Sequence, residues 1–169
     1  MVDCRPVLII LLLTAVLSCT GCAETGSSGP RSETVTISGH GFNLELAIDE
    51  PSRTRGLMYK ESVPEDGGML FVFPEAQVRS FWMGNCFIDI DLIFLDGRGR
   101  ITALHRMKKA RPQEEGESDF AYQQRLPSYW SNYPAQFAIE LRAGWLDRLN
   151  LHIDDSIELD LDRLKALAR

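Results

Sequence analysis

A chain of 169 residues holds one domain, or a domain with a tail, and is too short for two ordinary domains. Its composition, 44% apolar and 25% charged, argues against a disordered, collagen-like or polytopic membrane chain. The formal charge of −6, from 24 acidic against 18 basic residues, leaves nucleic-acid binding without electrostatic support.

The chain opens with Arg5 in a short polar head, followed by Val7 to Ser18, in which Thr14 and Ser18 alone are polar. That run is too short to cross about 30 Å of hydrocarbon as a helix and reads as the apolar core of an export signal. Leu17-Ser18-Cys19-Thr20-Gly21-Cys22 follows, and it resembles a bacterial lipobox. Small residues at Thr20 and Gly21 suit Cys22 as the acylated cysteine; Cys19, after Ser18, is the alternative. Ordinary cleavage with free secretion is the competing reading. Residues 1–21 are therefore expected to be a lipoprotein-type signal peptide. Residues 22–33 carry no large apolar side chain and read as a flexible tether reaching on the order of 20 Å. Of the four cysteines, Cys4, Cys19 and Cys22 crowd this leader, so the even count does not describe a disulfide framework.

Residues 34–160 read as one globular domain and 161–169 as a terminal helix or tail. Val35 and Ile37, then Phe42, Leu44, Leu46 and Ile48, alternate with other residues around Ser38-Gly39-His40-Gly41, the pattern of a β-hairpin. Asp49-Glu50-Pro51 predicts a helix start, with Ser52 to Tyr59 giving about two turns. Met69 to Phe73 is a strand expected to stop at Pro74, and Ser80 to Cys86 a further strand. Ile88 to Leu95 and Ile101 to Met107 form a second hairpin across Asp96-Gly97-Arg98-Gly99-Arg100. Residues 108–134 lack periodicity, with a short helix expected at Asp119 to Leu126. Ala135 to Leu141 is a strand, Ala143 to Leu149 two helical turns, Ser156 to Leu159 a last strand and Leu161 to Arg169 a helix. The expected fold is mainly β (α+β), with antiparallel strands curled into a partly closed barrel or sandwich and a few short helices.

Few of the reactive residues fall into a chemical pattern. Arg53, Arg55 and Lys60 surround Gly56-Leu57-Met58, either an anion-binding corner or a solvated basic face. Alternation across Phe81-Trp82-Met83 either buries large side chains on both faces of a sheet or leaves one to line a pocket or partner surface. Asp89 and Asp91 stand two apart, a spacing compatible with paired carboxylates but also with an outward polar face. His40, His105 and His152 are unrelated in spacing, and no zinc or metal site is expected. Cys86 has no adjacent cation or helix start to activate its thiol and reads as a buried, inert residue.

Arg55-Gly56-Leu57-Met58, Gly68-Met69-Leu70-Phe71-Val72-Phe73, Phe81-Trp82-Met83-Gly84-Asn85, Ile90-Asp91, Phe94-Leu95-Asp96, Ile139-Glu140-Leu141 and Ala143-Gly144-Trp145 follow one another in this order. Together they resemble the family called domain of unknown function 192, from about Val35 to Leu159. The resemblance implies a compact, mostly β domain that is often exported, and no established activity. This chain departs from the family pattern at Gly84, where lysine is usual, at Cys86, where threonine is usual, and at Asp89, where proline is usual. The polar or aromatic motif positions that remain are Arg55, Trp82, Asn85, Asp91 and Glu140. Either some of them converge on a ligand pocket, or they form a buried polar network that holds strands in register.

Three functions follow in order of preference. The first is a non-catalytic ligand-binding or accessory module, lipid-anchored at the periplasmic or extracellular face of the cell envelope. The second is a hydrolase using Asp91 and Glu140 near Arg55. The third is a protein-interaction module using Trp82 and the 108–134 loop. The expected partners are the membrane, through the lipid, and a small molecule or envelope protein. No cofactor is expected.

Overall fold

The computed structural model describes Met1 and residues 31–169. The expected signal peptide, the acylated Cys22 or Cys19 and most of the tether lie outside the described residues. The first strand begins at Ser32, so the last residues assigned to the tether belong to the sheet.

Strand β1 (Ser32–Ile37) turns through Ser38-Gly39 into β2 (His40–Ala47), the hairpin that the alternation predicts. Helix α1 (Glu50–Arg55) follows at once, fixed by a capping box in which Asp49 and Ser52 bond reciprocally and by a proline in its first turn. Strand β3 (Gly67–Gln77) then pairs parallel to β2. The remaining elements are β4 (Ser80–Phe81), β5 (Ile90–Leu95), β6 (Ile101–Met107), α2 (Asp119–Gln124), β7 (Tyr129–Trp130), β8 (Ala135–Arg142), α3 (Trp145–Leu149) and α4 (Leu161–Leu167). Six strands form one mixed sheet in the order β1-β2-β3-β8-β5-β6, and β4 pairs with β7 as a separate ribbon.

The protein is mainly β with few short helices, but its sheet is open: β1 and β6 are edges, and no barrel closes among the described residues. The sheet is antiparallel except between β2 and β3, a parallel pair that needs a crossover, which α1 and the following loop supply. Strand β3 also runs through Pro74, where a register irregularity between Val72 and Gln77 accommodates a residue that cannot donate to a ladder. The strand expected over Ser80 to Cys86 is two residues long, paired only with Tyr129 and Trp130, and the chain turns further on at Asn85, with φ +56°. Ser156 to Leu159 contributes only a single bridge from Ser156 to Arg100.

Both faces of the sheet are covered. On one, Val35, Phe42, Leu70, Ile93 and Ile139 pack with Trp145, Leu149 and Leu164 of α3 and α4. Leu164 is fully buried there, so the terminal helix is part of the core and not a tail. On the other face, Met69, Phe71, Phe73, Leu92, Phe94 and Ala138 pack with Leu57, Met83 and Cys86. This double cover explains the continuous burial of β5 and of the first seven residues of β3.

Candidate functional site

The second face carries a cavity of about 310 Å³ between α1, β3 and β4, floored by β8. Period two along β3 sends Phe71 and Phe73 toward it. Phe81 meets Phe71 edge-on at 4.9 Å. Trp82, 37% exposed, stands at the opening. A Cβ on Gly84 would overlap the Trp82 ring, so a side chain at position 84, the usual lysine of the family pattern included, would force that ring elsewhere.

Glu140 forms the floor. It lies on the central strand β8, opposite Met69 on β3 and Leu92 on β5, with apolar neighbours on both sides. The residue is 5% exposed, and its Oε2 has no hydrogen-bond partner. Burial pushes its carboxyl up to about 8, opposed by the Leu57 backbone N–H. Cys86 is buried beside it. Desolvation first, and the Glu140 charge second, push that thiol up to about 12, which keeps it protonated and unreactive.

Three arginines ring the opening, two of them held by backbone carbonyls. Arg53 donates to the carbonyls of Val72 and Arg169 and pairs with Glu50. Arg79 donates to the carbonyls of Ala135 and Glu75 and stacks 3.6 Å from the centroid of the Phe73 ring; burial lowers its pKa. The exposed Arg55 guanidinium has no hydrogen bond or ion pair among the described residues.

Of the five motif residues, Arg55, Trp82 and Glu140 line this cavity, whereas Asn85 and Asp91 do not. Asn85 is a structural latch: its N–H donates to the Tyr122 hydroxyl at 2.9 Å, and its carbonyl accepts the Tyr59 N–H. Asp91 lies on the opposite face of the sheet, because Leu92, not Asp91, stands across from Glu140. Its Oδ2 accepts the amides of Gly144 and Leu146 at 2.9 and 2.8 Å, capping the start of α3. The cavity thus brings together three of the five, and no single polar network joins them all.

Asp89 does not act with Asp91 either. It accepts from the Lys109 backbone amide and the Lys108 side chain, which hold its carboxyl below the usual range. No group of acids, histidines and cysteines suited to a metal occurs among the described residues. His40, His105 and His152 are apart: His40 packs against Trp145, His105 bonds the Trp130 carbonyl, and His152 lies near Asp155. Sequence reasoning missed Arg79, Phe71 and Phe73 as lining residues. The period-two face of β3 was a usable signal for the two rings; the position of Arg79 depends on the path of the chain beyond Pro74.

Among curated proteins, none matches this chain. Two solved structures share the fold at a TM-score of 0.62. One, from Sinorhizobium meliloti, is described as a candidate transcription regulator; it is 30% identical, with 79% of this chain and 97% of that chain covered. The other, a protein of unknown function from Novosphingobium aromaticivorans, is 25% identical, with 79% and 89% covered. Residues 33–159 match the family model DUF192, described as "Uncharacterized ACR", and the chain belongs to this family.

Proposed function

We propose that this protein is a lipid-anchored module of the cell envelope that binds a small molecule in the cavity between α1, β3 and β4 and releases it unchanged. The observation that carries this reading is Oε2 of Glu140, a buried acceptor without a partner in the floor of that cavity. An unsatisfied buried polar group costs about 1–3 kcal/mol, which a ligand donating a hydrogen bond would recover. Apolar walls around one polar anchor are the usual make-up of a small-molecule site.

The hydrolase reading lacks its pair, since Asp91 and Glu140 occupy opposite faces of the sheet. Cys86, protonated at neutral pH, offers no nucleophile in their place. The apolar run from Val7 to Ser18 and the lipobox-like cysteines support an anchor at Cys22, or alternatively Cys19, with the domain at the periplasmic or extracellular face. Among the described residues, no helix is long and apolar enough to cross a membrane.

A thermal-shift screen of the full-length chain against a small-molecule library tests the pocket. Hits are expected to weaken in Trp82→Ala and Glu140→Met and to be recovered unaltered by mass spectrometry. Hits indifferent to both substitutions would refute the site, and chemically converted hits would refute a purely binding role. Intact mass of the protein purified from membranes tests the anchor: a diacylglyceryl group is expected on Cys22 or Cys19, and an unmodified mature terminus would refute it.

A further inference from the structure

We infer that the occupant of this cavity is a small hydroxylated carboxylic acid with a single ring, its carboxylate held by Arg55 at the opening and its hydroxyl reaching Glu140 at the floor. This inference rests on the cavity being a small-molecule site, and it names the ligand class from three features of the lining.

The opening selects an anion. Arg53, Arg55 and Arg79 face one ionised carboxylate, Glu50, which is already paired with Arg53, on a chain whose net charge is −6. Arg53 and Arg79 are each tied to two backbone carbonyls. The Arg55 guanidinium alone of the three makes no hydrogen bond or ion pair among the described residues, so its whole planar fork can match a carboxylate through two parallel hydrogen bonds.

The walls select a flat apolar body. Phe71 and Phe81 present an edge-to-face pair and Trp82 a partly exposed indole, surfaces on which an aromatic ring packs well. At about 310 Å³ the cavity is at the small end of ligand pockets, which run from about 300 to 1,000 Å³, so it suits one ring better than a nucleotide.

The floor selects an uncharged donor. Gly56, next to Arg55 in sequence, brings α1 against Glu140: a Cβ there would lie 3.4 Å from Oε2. The anion-binding residue and the buried acceptor therefore belong to one continuous wall. Glu140 keeps its proton at neutral pH, and in that form it both accepts from and donates to a hydroxyl. An ammonium group would have to pass three guanidiniums and ionise a desolvated carboxyl.

Calorimetry on the full-length chain with four probes tests this: 4-hydroxybenzoate, benzoate, phenol and tyramine. 4-Hydroxybenzoate is expected to bind about tenfold or more tightly than benzoate, which lacks the hydroxyl, and than phenol, which lacks the anion. Arg55→Ala, a surface substitution that leaves the core intact, should abolish the preference over phenol. Glu140→Met, which removes both the acceptor and the donor, should abolish the preference over benzoate, whereas Glu140→Gln, which accepts and donates as the protonated carboxyl does, should keep it. Tyramine binding as tightly as 4-hydroxybenzoate, or a preference over phenol that survives Arg55→Ala, would overturn the class while leaving the pocket in place. Binding of none of the four would also overturn the class, and the pocket itself then stands or falls on the Trp82→Ala response of the library hits.

Discussion

A methyl group added to Gly56 would come within 3.4 Å of Oε2 of Glu140, so the end of α1 and the central strand of the sheet meet with no side chain between them. This close approach creates the floor of the cavity. It also shields Glu140 on the α1 side, which is one reason a carboxyl on a mid-sheet strand has so little solvation.

Gly56→Ala should therefore be destabilising. Gly56 has φ +49° and ψ −136°, a combination that residues with a Cβ rarely adopt, and the added carbon would also press on Cζ of Phe71 at 3.3 Å. Backbone strain of this kind costs about 1–3 kcal/mol. A urea midpoint lowered accordingly is expected, and an unchanged midpoint would mean that α1 relaxes freely at its end.

Glu140 links stability to pH. Its carboxyl is raised from an ordinary 4.5 to about 8 in the folded state, first by burial. Between those values the folded chain holds a proton that the unfolded chain releases, so stability falls as pH rises through this window and levels off above about 8. The change across the whole window is on the order of 5 kcal/mol. Glu140→Gln should remove this slope, and urea unfolding of both chains at pH 5, 7 and 9 measures it. Curves that stay parallel would show that Glu140 does not titrate as its burial requires.

The hairpin of β1 and β2 was legible in the sequence because alternation and a glycine turn are local signals, and the capped start of α1 was legible for the same reason. The parallel pairing of β2 with β3 was not, since nothing local distinguishes a strand that returns alongside its predecessor from one that reverses. The path of β3 past Pro74 was hidden too, because proline ends a strand in most settings and a bulge that admits it is a tertiary feature. In the site, the motif drew Arg55, Trp82 and Glu140 together with Asn85 and Asp91 without separating pocket from scaffold. The separation depends on register: one residue decides whether a carboxyl on β5 faces Glu140 or the opposite core.

Cys86 should resist alkylation in the folded protein. Its thiol is buried and raised to about 12, so the thiolate fraction at pH 8 is on the order of one in ten thousand. Iodoacetamide followed by peptide mass spectrometry should label Cys86 only after denaturation. Labelling of the native chain at the rate of a free thiol would place Cys86 in contact with solvent and reopen the question of a nucleophile in the cavity.

Asp91 should behave as scaffold, in contrast to Glu140. Asp91→Ala would leave the Gly144 and Leu146 amides without their acceptor under α3, costing about 2–4 kcal/mol. Asp91→Asn keeps one acceptor oxygen and should lose less. Because Asp91 lies across the sheet from the cavity, the affinity of a pocket ligand should be the same for Asp91→Asn as for the parent chain wherever both are folded. Calorimetry below the unfolding midpoint of the variant checks this. A tenfold loss of affinity in a folded Asp91→Asn protein would show that the α3 cap and the cavity are coupled through β5 and β8, and that the two faces of the sheet do not act independently.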